Sequence, residues 1–329
     1  TRIVNKPGDS GIPPTPNRGN ILTMAFLIGL AIPFGFTYVR ETFNTKIRGR
    51  KDVEDLATPF LGEIPQYDGN REKGKFGQEK EVRAIVVKAG KRDVINEAFR
   101  VLRTNFEFMK GHKDEADVVA ITSFNPGSGK SFMTMNLAVA LALKKQRVLV
   151  IDGDMRHGST SAYIGSPEKG LSDVLIGNIL NVGDVIVTDN EMPNLQILPI
   201  GVVPPNPTEL LETNHFPDLI AELRGKYDYI LIDCPPIEVV ADAQIIDKQA
   251  DRTVFVLRTG LFERSMLPQL DRLYDEKKFK NMAIILNGTN SNSGRYGYSH
   301  SYRYGYGYGY GYGYGYHYGY GYGNKKSRS

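Results

Sequence analysis

The rhythm of apolar and polar positions divides this chain into regions of different character. Residues 1–19 carry Pro7, Pro13, Pro14 and Pro16 among Gly8, Gly11 and Gly19, so they read as an extended approach segment. From Ile21 to Val39 run nineteen residues without a charge, ILTMAFLIGLAIPFGFTYV. That length just spans a hydrocarbon core, and Pro33 is tolerated inside a membrane helix. A buried core helix or the apolar region of a signal peptide shows the same pattern, but no small-residue cleavage site follows. The chain continues instead with Arg40, Lys46, Arg48, Arg50 and Lys51. A transmembrane helix is expected over 20–39. By the positive-inside rule its C-terminal side is cytoplasmic and the proline-rich start extracytoplasmic. The basic flank is also suited to anionic lipid head groups.

Residues 40–81 read as a juxtamembrane segment and linker. Within them DVEDLATPFLGEIP (52–65) predicts a short helix, a turn and a brief strand, and 66–80 are polar and glycine-containing. From about Val82 the pattern becomes an alternation of strands and helices. Short, aliphatic, β-branched runs predict strands at Val118–Thr122, Arg147–Ile151, Leu195–Pro199, Tyr229–Ile232, Thr253–Leu257 and Ala283–Leu286. Helical stretches separate most of them, and 131–145 has the apolar spacing of a helix packed on a sheet. The expected fold is α/β, a parallel sheet covered on both faces, over 82–290. After Asn287 the pattern stops, and 291–329 read as a disordered Tyr/Gly-rich tail.

Thirteen of the nineteen tyrosines lie in that tail: Tyr296, Tyr298, Tyr302, Tyr304, Tyr306, Tyr308, Tyr310, Tyr312, Tyr314, Tyr316, Tyr318, Tyr320 and Tyr322. Rings alternating with glycine cannot build a core, because aliphatic partners are missing and glycine maximises the entropy lost on ordering. The tail offers a string of phenol hydroxyls. No Asp or Glu follows Glu276, while Arg295, Arg303, Lys325, Lys326 and Arg328 are basic. Phosphates on several tyrosines, each adding about −1.5 to −2 charges, would reverse that sign. The overall net charge of +4 is too small and too dispersed to argue for nucleic acid. The single Cys234 rules out an intrachain disulfide framework and fits a reducing compartment. A chain beginning at Thr1 rather than Met is expected to be processed or, more readily, the C-terminal part of a longer protein.

The candidate chemistry starts where the strand VVAIT runs into Ser123-Phe124-Asn125-Pro126-Gly127-Ser128-Gly129-Lys130-Ser131 and a helix follows. Glycines let backbone N–H groups turn around phosphate oxygens, the helix N-terminus adds partial positive charge, and Lys130 reaches terminal phosphates. The Ser131 hydroxyl suits Mg²⁺. The loop departs from G-x-x-x-x-G-K-[ST] in having Phe124 at the first glycine. A solvated glycine turn is the bland alternative, which strand before and helix after weigh against. Two acidic elements then sit just past strands: Asp152-Gly153-Asp154-Met155-Arg156 and Asp233-Cys234-Pro235-Pro236. Any one of these carboxylates could be a helix cap. With the phosphate loop they form a set at the carboxyl ends of the strands, where such sheets bind ligands, and they could hold Mg²⁺ and accept a proton.

The D-x-D-x-R element at 148–156 and ILIDCPP at 230–236 resemble the two Walker-type aspartate motifs of bacterial tyrosine kinases (BY-kinases), the cytoplasmic kinase part of Wzc-like polysaccharide co-polymerases. The resemblance extends along nearly the whole chain. The proline-rich lead into a membrane helix, DVEDLATPFLGEIP, Glu97-Ala98-Phe99-Arg100-Val101-Leu102-Arg103, the PPNPTELL run at 204–211 and the tyrosine cluster all have counterparts. It implies a P-loop NTPase domain with a deviant Walker A motif, MinD/ParA-like in fold. It further implies ATP and Mg²⁺ as cofactors and autophosphorylation of the tail tyrosines, in trans around a ring homo-oligomer for which an octamer is one candidate. The nucleotide would be held by Gly127, Ser128, Gly129, Lys130, Ser131 and Phe132, with Mg²⁺ on Ser131, Asp154 and Asp233. Carry-over makes Asp152 the proton acceptor, with Asp154 as the other choice. Asn287 would contact adenine or serve as a cap or turn residue.

Glu97, Arg100 and Arg103 are spaced by three and share a helix face. A solvated face with internal ion pairs is the bland reading, and the resemblance favours a subunit contact. The implied location is the bacterial inner membrane with the kinase domain cytoplasmic. The implied partners are a phosphotyrosine phosphatase and the polymerase and export proteins of exopolysaccharide or capsule, with no nucleic acid. Partitioning and division-site ATPases share the loop fold, but their signature lysine position is Asn125 here, with Pro126 for the next glycine. A non-catalytic nucleotide-binding scaffold of polysaccharide export is the other alternative. A flexible stretch of some 30 residues spans about 30 Å, so the tail could reach its own site or a neighbour's.

Overall fold

The computed structural model of the protein describes residues 18–67, 84–110, 115–189, 191–237 and 241–290. The proline-rich start, most of the linker and all thirteen tail tyrosines expected to accept phosphate lie outside the described residues. Strands β1 (Phe60–Pro65), β2 (Asp117–Thr122), β3 (Val148–Asp152), β4 (Val187–Thr188), β5 (Leu195–Leu198), β6 (Tyr229–Asp233), β7 (Arg252–Arg258) and β8 (Ala283–Thr289) form one sheet. Their order is β1-β8-β7-β2-β6-β3-β5-β4, and every pair is parallel except β4 with β5. All six strands expected from the apolar runs are present. β4 escaped notice because two residues, one of them polar, leave no periodicity. β1 lies inside the stretch read as juxtamembrane, yet it pairs with β8 from Phe60↔Ile284 to Pro65↔Thr289 and so forms an edge of the sheet.

Strand side chains alternate between two cores. Val119 and Ile121 of β2 point to the face covered by α2 (Val94–Lys110) and α3 (Lys130–Ala142), packing with Phe99, Leu102, Phe106, Leu137 and Leu141. Val118 and Ala120 point to the opposite face. There α4 (Leu171–Ile176), α5 (Pro207–Glu212), α6 (His215–Arg224) and α7 (Asp242–Asp247) bury Leu171, Leu211, Phe216, Leu223 and Ile246. Towards β8 that face is completed by α8 (Leu267–Asp275) with Phe255, Phe262, Leu270 and Ile284. Nearly every residue of α3 is buried, which explains why its sequence is apolar all round rather than striped.

Helix α1 (Arg18–Thr42) contains Pro33 and is, among the described residues, the one helix long and apolar enough to cross a membrane. Its large apolar side chains are exposed, Phe26 and Phe34 at 68% and 71%. Just beyond its end the chain is stitched into the domain. Ile47 N–H donates to Phe262 O (2.9 Å), Gly260 N–H to Ile47 O (2.9 Å) and Arg264 N–H to Thr45 O (2.8 Å). Lys46 adds an ion pair with Glu263 at 3.2 Å.

At the starts of β2 and β7 the buried Asp117 and Arg252 form an ion pair, with Arg252 Nε donating to Asp117 Oδ1 at 3.2 Å and Nη1 to Phe106 O at 3.1 Å. Burial outweighs the arginine and leaves the Asp117 carboxyl above the ordinary carboxylate range. Removing one partner of such a pair strands the other, at a cost of about 3–5 kcal/mol, whereas replacing both by apolar groups is close to neutral. Asp117→Ala should therefore lose about that much in urea unfolding. The double variant Asp117→Leu with Arg252→Met should recover most of it.

Candidate functional site

β2 ends at Thr122, and the turn that follows reverses the chain into α3 at Lys130. Gly127 (φ 73°) and Gly129 (φ 87°) adopt left-handed backbone that side chains disfavour. At Gly129 space also forbids a side chain, since a Cβ would lie 2.2 Å from Asn287 Nδ2. Phe124, which replaces the expected first glycine, anchors the loop from below. Its ring is 2% exposed and packs 5.6 Å from Phe255 and 5.3 Å from Phe262, centroid to centroid.

The loop carbonyls are held from the sheet. Asn287 Nδ2 donates to Ser128 O at 2.9 Å, and Arg258 Nη1 to Gly127 O at 3.0 Å. Arg258 and Asn287 are register partners on β7 and β8. Ser123 Oγ and Ser128 Oγ both donate to Asn125 O at 2.8 Å. With these carbonyls engaged, and no side chain capping α3, the first N–H groups of the helix remain for an anion. Lys130, 9% exposed, stands at that helix start with the half-buried Ser131 beside it.

Asp152 and Asp233 end the adjacent strands β3 and β6 in direct register. Asp152 Oδ2 accepts from Ser161 N–H and Ser161 Oγ, both at 2.6 Å, and Asp233 Oδ2 accepts from Thr160 Oγ1 at 2.7 Å. The other oxygen of each, Oδ1, is buried without a donor in hydrogen-bonding geometry, although the Ser131 hydroxyl lies near enough to Asp233 to help hold its titration down. Burial pushes Asp152 up to about 7, the neighbouring Asp233 charge adds to it, and the Ser161 hydrogen bonds oppose it. Burial also raises Asp233, opposed chiefly by the Lys130 charge. Asp154, 4% exposed, meets His157 Nδ1 at 3.1 Å. Between the two aspartates Gly153 leaves no room: a Cβ would sit 2.9 Å from Ile232 Cγ2 and 3.0 Å from Ile246 Cδ1.

Two orphaned carboxylate oxygens, a buried lysine and an uncapped helix start make a donor and acceptor set that fits a metal–phosphate group. Among the described residues no three His, Cys, Asp or Glu side chains form a ready metal cage. A cation here would need further ligands from Ser131 and from the phosphates.

The structure brings Gly127–Ser131, Asp152, Asp154, Asp233 and Asn287 to one end of the sheet. Phe132 is different: its ring packs against Tyr67 (6.5 Å, stacked) and Phe99 (6.0 Å, edge-on), which leaves its backbone for any ligand. Asn287 braces the loop backbone through its amide. Glu97, Arg100 and Arg103 lie elsewhere, on α2. Arg100 pairs with Glu97 and donates to Lys91 O, and Arg103 Nη1 donates to Ala140 O at 2.9 Å.

Several residues of the site carried no signal beyond their hydroxyls or charge. Thr160 and Ser161 hold the two aspartates. Arg156 reaches Asp242 Oδ2 (3.3 Å) and Thr208 Oγ1 (3.0 Å), while Thr208 donates to Asp242 Oδ1 (2.6 Å), joining the D-x-D-x-R element to the PPNPTELL run. The hydroxyl pair after D-x-D-x-R is the one local clue that could have found the first two.

A family model described as "AAA domain" matches residues 116–278. The chain is 37% identical over 198 residues to the tyrosine-protein kinase CpsD of Streptococcus agalactiae, covering 60% of this chain and 84% of CpsD. It is 29% identical over 280 residues to the tyrosine-protein kinase Wzc of Salmonella typhimurium, covering 83% of this chain but 38% of Wzc, so it spans about two fifths of that relative's length. The kinase domain of the Escherichia coli tyrosine kinase ETK superposes with a TM-score of 0.65 at 27% identity, covering 81% of this chain and 100% of that domain.

The raised Asp152 has a thermodynamic signature. Its folded-state value of about 7 stands above the ordinary 3.8, so between those values the folded chain keeps a proton that the unfolded chain has released. This contribution to stability is present at low pH and lost as pH rises towards 7. The unfolding midpoint of the ligand-free chain should therefore fall more steeply between pH 5 and 7.5 than that of Asp152→Asn. Parallel curves would remove the raised value.

Proposed function

Because the chain belongs to the bacterial tyrosine kinase family, we propose that it is an ATP-dependent protein-tyrosine autokinase acting on its own C-terminal tyrosines. The observation that carries this reading is the pair of buried aspartates with unpartnered oxygens beside Lys130 and the uncapped start of α3. A degenerate nucleotide site would favour a non-catalytic scaffold, and here Lys130, Ser131, Asp152, Asp154 and Asp233 are all present.

Phosphoryl transfer depends on positioning and charge neutralisation more than on covalent chemistry. Lys130 and the N–H groups of 127–131 hold the β- and γ-phosphates. Ser131, Asp154 and Asp233 would hold Mg²⁺, whose contribution when bound is to offset charge on the transferring group. Asp152 takes the phenol proton. Its raised value brings it closer to the phenol's, near 10, than an ordinary carboxylate would be. Ser161 fixes the carboxylate by occupying its other oxygen.

The tail of one subunit enters the site of the next in a ring homo-oligomer at the inner membrane, with α1 crossing the bilayer and the kinase domain cytoplasmic. Glu97, Arg100 and Arg103 contribute to the subunit contact. Accumulated phosphate makes neighbouring tails repel one another and loosens the ring, coupling the cycle to exopolysaccharide or capsule polymerisation and export. A phosphotyrosine phosphatase resets it.

Incubation with Mg²⁺-ATP followed by mass spectrometry should place phosphate on residues 296–322. Lys130→Ala should reduce it by roughly a hundredfold or more. Equal phosphotyrosine in both proteins would sink the reading. Phosphatase treatment should enlarge the oligomer seen by light scattering, and an unchanged mass would remove the charge-driven switch.

A further inference from the structure

Away from the strand ends, a cavity of about 220 Å³ opens between α2, the end of α3 and the turn at Val87–Gly90. Its lining divides by chemistry. Val87, Ala89 and Leu143 are apolar, whereas Lys88, Arg100 and Arg103 are cationic. Two of the cations are partly engaged. Arg100 faces Glu97 and Lys91 O, and Arg103 spends Nη1 on Ala140 O. Arg103 Nε is buried with no acceptor, a donor whose desolvation nothing in the described structure offsets. The surrounding sequence is lopsided as well: from 88 to 103 stand Lys88, Lys91, Arg92, Arg100 and Arg103 against Asp93 and Glu97. Asp93 is committed to Lys91 at 2.8 Å.

A guanidinium fork favours phosphate oxygens, and an apolar wall beside it favours a ring. An aryl phosphate satisfies both halves. We propose that this cavity is a phosphotyrosine-binding site that captures the phosphorylated C-terminal tail of this chain. The sign of the charge makes the capture conditional. Before modification the tail has no acidic residue after Glu276 and carries Arg303, Lys325, Lys326 and Arg328, so a cationic cavity repels it. Each phosphate adds about −1.5 to −2 charges and inverts that interaction. The inference rests on the autokinase reading for the source of the phosphate, not for the chemistry of the cavity. Captured tail would lie against Arg100 and Arg103, the residues assigned above to the subunit contact.

The test uses the full chain in detergent, dephosphorylated so that its own tail does not compete, freed of phosphatase and diluted until light scattering shows the monomer, because a ring would cover Arg100 and Arg103. Labelled Gly-pTyr-Gly-Tyr-Gly is titrated in by fluorescence anisotropy, beside the unphosphorylated peptide and inorganic phosphate as competitor. Binding of the phosphopeptide alone is expected, with inorganic phosphate displacing it weakly. Arg103→Ala should weaken binding at least tenfold. Arg103 also holds a carbonyl of α3, so Leu143→Glu, at a wall residue that is itself 37% exposed, supplies a second variant, expected to lose as much. A saturating non-hydrolysable ATP analogue should leave binding unchanged. Unaltered affinity in both variants, equal binding of the unphosphorylated peptide, or full displacement by the ATP analogue would each overturn the proposal. The peptide arrives already phosphorylated, so a chain without kinase activity would still give a clear answer.

Discussion

Asp152 and Asp233 end adjacent parallel strands in direct register, so their carboxylates are neighbours by construction. Like charges side by side in a dry environment cannot both ionise cheaply, and burial pushes both titrations upward. Thr160 and Ser161 satisfy one oxygen of each and leave one of each unmet. The strand order makes this pairing serve a ligand. β6 lies between β2 and β3, which puts the phosphate loop leaving β2 beside both aspartates. Lys130 then stands close enough to be the main influence holding Asp233 down. Remove the register and the metal–phosphate fit is lost, together with the part of the Asp152 shift that the Asp233 charge adds to burial.

The loop opposite that pair is held from three directions. Phe124 plugs it into the core formed with Phe255 and Phe262. Arg258 and Asn287, partners on β7 and β8, take the carbonyls of Gly127 and Ser128. The chain also ties the β2 end to the Asp233 loop, with Thr122 Oγ1 donating to Pro235 O (2.8 Å) and Ile237 N–H to Ser123 O (2.9 Å). Glycines allow the curve, and these contacts fix it. A deviant first position is therefore no defect in the loop. A large ring at 124 is what fastens it to the sheet.

Local pattern made the six central strands, α3, the membrane-length helix and the loop–aspartate set legible, because each is written in contiguous residues with a characteristic period. What stayed hidden depends on partners distant in sequence. β1 is expected as a brief strand of the juxtamembrane segment, and only β8, more than two hundred residues on, makes it an edge of the sheet. Asn287 read as a base contact or a cap, yet its amide braces a carbonyl 159 positions away. Phe132 read as part of the nucleotide site; helix geometry turns its ring towards Phe99 and leaves its backbone for a ligand. Asp242, Thr208 and Arg156 come from three segments, and no spacing rule links them. Motifs announce which groups meet a ligand; the residues that hold those groups still belong to the fold.

The two ends of the sheet treat charge in opposite ways, and this separates structure from chemistry. At the amino ends of the strands every aspartate is answered. Asp117 meets Arg252, Asp228 takes the Arg147 guanidinium at 2.8 Å and its N–H at 2.8 Å, and Asp251 meets Arg224 at 2.8 Å. Hydrogen bonds and the arginine charge hold Asp228 below the ordinary carboxylate range despite its burial. At the carboxyl ends, Asp152 and Asp233 have hydroxyls and a lysine but no arginine fork, and each keeps an unpaired oxygen. Arginine is used at the carboxyl ends too, where Arg156 answers the buried Asp242, but no arginine is given to Asp152 or Asp233. An uncompensated pair beside an uncapped helix is stable only because the remaining coordination is left for something that arrives with its own charge.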